Sequence, residues 1–329
     1  MSRVIAAGHI CLDITPVFPG GRDYGEVAEL LRPGKLIHMD AAQVHTGGSV
    51  ANTGLAFKKL GENVVLLGKI GDDDLGALMA RMTAAYGAGG LIVDKDSTTS
   101  YSVVLAIPGL DRIFLHDPGA NDSFCSADIP EAALDGAELF HFGYPPLMRK
   151  MYENGGAELE RLFRRVKARG IMTSLDMAAV DPSSEEGRAD WRAILRRVLP
   201  YVDYFVPSLE EIRFMLKERD AAPESLAGEL MDMGAGTVLI KCGTDGLYFK
   251  SPADEGAQPC FPAACLRSAT GAGDTCIAAF LTGILRGKSV RHSAALAAAE
   301  GACCVTAYDA LSGLKSFEEL EEMINAYNS

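Results

Sequence analysis

Asp274 stands inside a six-residue run, Thr270 to Thr275 (TGAGDT), that passes from a polar segment into an apolar-striped helix. Gly271 and Gly273, on either side of Ala272, let the backbone fold tightly, so that several N–H groups aim at one point beside the positive end of a helix dipole. That point attracts an anion. A carboxylate in the same turn is explained if it does chemistry of its own, because beside a transferring phosphoryl group it can accept the proton of an attacking hydroxyl. The plainer account makes Thr270 an N-cap and Asp274 an acid that offsets the dipole in the first turn. Both accounts require a helix onward from this point. Ile277, Phe280, Leu281, Ile284 and Leu285, spaced i, i+3, i+4, i+7 and i+8, supply its buried face.

The elements that must position such a helix read as alternating strands and helices. Val4 to Ala7 forms a short buried strand stopped by Gly8, with Asp13 just beyond it. Thr46 to Gly54 (TGGSVANTG) leads into a helix that ends near Leu60, with Gly61 as its stop and Val64 to Leu67 as the next strand. From Leu139 onward the strands are Leu139–Phe142, Ile171–Leu175, Tyr204–Val206 and Thr237–Ile240. The helical faces between them are carried by Leu159, Leu162, Phe163 and Val166, then by Trp191, Ile194, Leu195, Val198 and Leu199. Repeated βα units predict an α/β fold, a mainly parallel sheet with helices on both faces. In such sheets polar groups past the carboxyl ends of strands meet ligands, which places Asp13 and Asp176 on the ligand edge, though each also reads as a turn acid. Gly47 and Gly48 permit close approach of a ligand, and Asn52 offers both a donor and an acceptor.

Residues 14–44 carry no long helical stripe, whereas Ser100 to His116 alternates: Tyr101, Val103 and Leu105, a PGLD turn, then Ile113 and Leu115. Together they predict a small β-rich flap, assigned to residues 14–43 and 99–116, inserted into a core of residues 1–13, 44–98 and 117–329. A flap of this kind excludes water from a phosphoryl-transfer site. Arg112 lies in its hairpin, as an exposed arginine or as a contact to an anionic group, and Asn121 lies in the polar turn HDPGAND that follows.

TGAGD ahead of a small-residue helix near the C-terminus, with GGSVANTG far upstream, resembles the ribokinase-like (PfkB) family of carbohydrate kinases, and the likeness runs over nearly the whole chain. The resemblance implies a ribokinase-like fold with a β-rich lid, often used in dimerisation, and an ATP- and Mg2+-dependent kinase acting on a primary hydroxyl of a small sugar or sugar derivative. Asp274 is then the base and Gly271, Ala272 and Gly273 the anion hole. Asp13, Gly47, Gly48, Asn52, Asn121 and Asp176 meet the sugar, with Arg112 reaching a carboxylate or phosphate if the substrate has one. PSLEE, Pro207 to Glu211, resembles the family's NxxE motif, with Ser208 where asparagine is usual; Glu211 would act on magnesium through water. Ser208 and Glu211 equally form a capping box. KCGTDG resembles the family's KxGxxG segment beside the nucleotide, through Lys241, Gly243, Thr244 and Gly246, and GTDG is also a good hairpin turn. Ser268 replaces a common aspartate, which argues against activation by a monovalent cation.

Composition narrows the partners. The 329 residues, 48% apolar and 23% charged, describe a globular protein with a sizeable core, and a net charge of −13 argues against nucleic acid or an anionic membrane surface. Eight cysteines without a CxxC pair fit reduced thiols in a cytoplasmic protein, and the N-terminal apolar run is too short for a signal peptide or membrane span. Three consecutive acids, Asp72 to Asp74, read as turn and N-cap groups without metal-ligand spacing. Gly283 is one residue too close to GKS (Gly287–Ser289) for a P-loop, and GAGDTC lacks the third small residue of a dinucleotide fingerprint. Two alternatives remain: a nucleoside kinase, against which no aromatic cluster is assigned near Asp13 or Asn52, and a non-catalytic sugar-binding regulator.

Overall fold

The computed structural model describes residues 3–20, 27–87, 89–108 and 113–327. Its strands are β1 (Arg3–Gly8), β2 (Cys11–Val17), β3 (Asp40–Gly47), β4 (Asn63–Leu67), β5 (Lys69–Gly71), β6 (Ile92–Asp94), β7 (Tyr101–Leu105), β8 (Ile113–Asp117), β9 (Leu139–Gly143), β10 (Met172–Leu175), β11 (Tyr204–Phe205), β12 (Thr237–Lys241), β13 (Leu247–Lys250) and β14 (Glu255–Gln258). Eight of them form the main sheet in the order β14-β13-β12-β11-β10-β9-β1-β4. β4 through β12 pair in parallel, and β13 and β14 add an antiparallel edge.

The two-residue period of the central strands divides the core between two faces. In β1, Val4 and Ala6 enter one apolar layer and Ile5 and Ala7 the other; in β12, Leu239 enters the first and Val238 and Ile240 the second. The first layer is covered by the helices Gly48–Lys59, Ala272–Leu285, Val290–Cys304 and Phe317–Tyr327, and the second by Arg149–Lys167, Trp191–Val198, Leu209–Leu216 and Pro223–Asp232. This is the expected mainly parallel sheet between helical layers.

A second, four-stranded sheet has the order β3-β2-β7-β8, with its own small core of Phe18, Leu30 and Ile107. Its strands β2 and β3 run through residues 13 and 44 and so carry Asp13 and His45. The Asp72–Asp74 turn caps a helix: Asp73 accepts the N–H of Gly76 at 2.8 Å and is also bonded by Thr99. Among the described residues no helix is long and apolar enough to cross a membrane.

Glu300 is fully buried in the helix Val290–Cys304, where its Oε2 accepts the Lys315 N–H at 3.3 Å and its Oε1 has no partner. Burial pushes its pKa up to about 8 from 4.5. The folded carboxyl therefore holds a proton that the unfolded chain releases, and the stability tied to that proton is complete below pH 4.5 and lost as pH rises towards 8. Glu300→Gln should raise stability at pH 8 by on the order of 2–4 kcal/mol and change little at pH 4, measured by urea unfolding at both values.

Candidate active site

The helix Ala272–Leu285 starts at the carboxyl edge of the main sheet, and its N-cap is Gly271 rather than Thr270. Gly271 takes a left-handed φ of 74°, and a Cβ added there would sit 2.2 Å from the Cβ of Ala310, so only glycine closes this turn. The Ala272 N–H donates to Ala269 O at 3.3 Å. Gly273 faces Lys241: a Cβ on Gly273 would lie 3.5 Å from Lys241 Nζ. The turn thus combines first-turn N–H groups with an ammonium, a surrounding suited to an oxyanion.

Asp274 is 3% exposed and is held by three donors. Asn52 Nδ2 donates to Oδ2 at 3.0 Å, Thr53 Oγ1 to Oδ1 at 3.2 Å, and the Tyr144 hydroxyl to both oxygens at 2.9 Å. Burial raises its pKa and outweighs Lys241 and these hydrogen bonds, which act to lower it. Asn52 also lines a cavity of about 330 Å³ together with Asp13, His45, Thr46 and Thr270. Asp274 lies just behind Asn52, outside that lining. Burial raises the pKa of Asp13 as well, with the negative charge of Asp274 adding to it. Asn52 thus joins the Asp274 carboxylate to the cavity that Asp13 lines, while Asp274 itself does not line it, contrary to the expectation that all three face one cavity.

Gly47 ends β3 against Asp13: a Cβ there would fall 2.3 Å from Asp13 Oδ2. Gly48 opens the helix beside His9. Gly47→Ala should displace the Asp13 carboxylate and raise the acceptor KM about tenfold or more with the ATP KM unchanged, read from initial rates.

Two expected sugar contacts are corrected. Asn121 is fully buried, and its carboxamide is spent on backbone: Oδ1 accepts Ile10 N–H at 3.1 Å, and Nδ2 donates to Ile10 O at 2.9 Å and Pro118 O at 3.0 Å. It braces the chain between β1 and β2 and does not face the cavity. Asp176, 1% exposed, receives Lys241 Nζ at 2.8 Å and forms part of the charge network beneath the turn. Arg112 lies outside the described residues. The lack of an assigned aromatic cluster is also corrected, because Met82, Tyr86, Val104, Phe114 and Tyr308 line the same cavity as Asp13.

The remaining positions gather along the neighbouring strands. Ser208 forms a parallel bridge with Lys241, which sets the PSLEE and KCGTDG segments side by side. The Ser208 N–H donates to Glu211 Oε2 at 2.7 Å, completing the capping box. Burial works to lower the pKa of Lys241, but Asp176 and Glu211 outweigh it and raise the value. Gly243 and Thr244 lie exposed in a single 3₁₀ turn, and Gly246 is buried at its end. Ser268 Oγ donates to Thr270 Oγ1 at 3.0 Å and accepts the Thr270 N–H at 3.1 Å.

Tyr144 is a site residue that no sequence motif marks. It follows β9 directly and adopts left-handed φ 64° and ψ 43°, which for a residue with a Cβ costs about 1–2 kcal/mol. A polar side chain just past the carboxyl end of a central strand is the one signal that points to it.

A profile described as "pfkB family carbohydrate kinase" matches residues 11–316. Fructokinase-2 of Oryza sativa subsp. japonica is 25% identical over 293 residues, 85% of this chain and 84% of that protein. Among solved structures, fructokinase with bound ATP from Xylella fastidiosa superposes with a TM-score of 0.81 at 19% identity, covering 99% of both chains. The nucleoside kinase of Methanocaldococcus jannaschii, described as an archaeal member of the ribokinase family, does so at 0.75 with 18% identity, also over 99% of both.

Proposed function

This chain belongs to the pfkB family of carbohydrate kinases, and from that premise we propose that it transfers the γ-phosphoryl group of ATP to a primary hydroxyl of a small sugar or sugar derivative. The observation that carries this reading is the 3.0 Å bond from Asn52 to Asp274, because Asn52 also lines the cavity that holds Asp13. A sugar held by Asp13 and Asn52 brings a hydroxyl to the Asp274 carboxylate, which accepts its proton as the oxygen attacks. The N–H groups of Gly271 and Gly273 and Lys241 Nζ would meet the negative charge that develops on the transferred group, and the Ala272 N–H would join them by leaving Ala269 O.

ATP would lie along Ser208, Lys241, Gly243, Thr244 and Gly246. Among the described residues no group of three or more His, Cys, Asp or Glu is placed to hold a metal ion. Mg2+ would be carried by phosphates and water, with Glu211 acting through water, and when bound would neutralise phosphate charge. Ser268 in place of an acid keeps a monovalent cation out of the proposal. The small sheet, which carries Asp13, is the proposed lid. Leu115 (55% exposed) and Val44 (37% exposed), on its two edge strands, favour its use in a homodimer.

A second reading, a nucleoside acceptor, is favoured by one observation: Met82, Tyr86, Val104 and Phe114 line the cavity together with its polar groups, and a base needs apolar and aromatic lining of this kind. A panel of neutral sugars, acid sugars and nucleosides with ADP detection tests both. Turnover with sugars supports the first reading and turnover with nucleosides alone replaces it. Calorimetric sugar binding without ADP from any acceptor would leave a non-catalytic sugar-binding protein.

A further inference from the structure

Three donors crowd the carboxylate of Asp274, so an acceptor hydroxyl reaches it only by taking the place of one. Asn52 and Thr53 are buried within the helix Gly48–Lys59 and move only with it. Tyr144 spans both oxygens from a connecting residue in left-handed conformation, between β9 and the 3₁₀ turn Pro145–Leu147. It is the donor that can leave.

A half-buried phenol that leaves one acceptor regains the lost bond at another within reach. His9 supplies it: its ring centroid lies 6.1 Å from that of Tyr144, it is 2% exposed, and neither Nδ1 nor Nε2 has a partner. Burial, with His116 adding to it, holds the His9 pKa down at about 3, so the ring is neutral and one nitrogen carries a lone pair. His116, 5.2 Å away on ring centroids, already engages Ser102 Oγ through Nδ1 at 3.0 Å. Asp176, another carboxylate near Tyr144, carries the Lys241 ammonium on Oδ1 at 2.8 Å and leaves Oδ2 without a partner, so it is the rival acceptor, indicated by an acceptor KM unchanged in His9→Phe.

We propose that Tyr144 is a positioning residue that holds the acceptor's place on Asp274 and passes its hydroxyl to His9 when the acceptor arrives. This rests on the kinase reading above. While ATP is bound alone, the phenol keeps the base from activating water and so suppresses transfer of the γ-phosphoryl to water, which would release ADP and phosphate. With the acceptor in place, the Tyr144–His9 bond satisfies the phenol and the buried imidazole and leaves Asp274 to the incoming hydroxyl.

The test uses the full chain with MgATP alone, then with D-fructose, D-ribose and inosine as probe acceptors, reading ADP. Tyr144→Phe should raise acceptor-free ADP formation about tenfold, and Asp274→Asn should abolish the increase. His9→Phe should raise the KM of whichever probe is turned over about tenfold without changing the KM of ATP, and should have no further effect in the Tyr144→Phe background. His9→Gln, which keeps an acceptor atom, should restore most of the affinity and serves if His9→Phe does not fold. Acceptor-free ADP formation in Tyr144→Phe at or below the wild-type rate overturns the proposal while leaving the kinase reading intact. No Asp274-dependent ADP formation in any of these proteins, with or without acceptor, overturns both.

Discussion

Asp274→Asn should bind ATP and acceptor yet turn over about 10²–10⁴-fold more slowly, the usual loss when a positioned general base is removed. The carboxamide has nearly the shape of the carboxylate but accepts no proton at neutral pH. The hydroxyls of Thr53 and Tyr144, which donate to Asp274 at 3.2 and 2.9 Å, can reverse and accept from an amide, so the packing has a way to survive. Calorimetry for binding and ADP detection for turnover separate the two effects. A variant with near-normal kcat would remove Asp274 from the chemistry, and one that loses sugar binding as well would make it a structural acid.

Lys241→Met carries the largest expected change in stability. Lys241 and Asp176 form a pair with side chains 12% and 1% exposed, and Asp176 Oδ2 has no hydrogen-bond partner. Breaking such a pair from one side leaves an uncompensated buried charge and costs about 3–5 kcal/mol. Urea unfolding at pH 7 measures it. Asp176→Leu added to Lys241→Met should restore much of the loss, because two apolar groups can replace the pair without leaving a charge. The repaired double variant should remain a poor enzyme, since the ammonium beside Gly273 is gone. A single variant within about 0.5 kcal/mol of wild type would show that the pair adds nothing to stability.

The main sheet was legible because its strands are short apolar runs between amphipathic helices, and every parallel strand from β9 to β12 fell within two residues of its expected position. β2 and β3 were not legible as individual strands, although residues 14–43 were assigned to the β-rich flap. CLDITPV and DAAQVHTG carry polar residues and a proline, and they pair in a sheet with little core of its own, so no apolar period marks them. Site residues divided along similar lines. Asp274 and Asn52 stood in motifs whose chemistry showed in their residue types. Asn121 misled because a polar turn near a ligand edge looks like a binding loop, whereas the buried backbone of Ile10 had first claim on its amide. The apolar lining was missed because Met82 and Tyr86 come from the helix beginning at Asp74 and its C-cap, while Phe114 comes from the small sheet, and only the folded chain joins them.

Asn52 and Asp274 are separated by 222 residues of chain. A ribosome that has released the first helix of the site must therefore synthesise a further 222 residues, from Asn52 to Asp274, before the carboxylate can dock against it. Nascent or C-terminally truncated chains lacking residue 274 would carry the early asparagine and aspartate without their partner. Catalytic competence is in this way withheld until the chain has been made past residue 274.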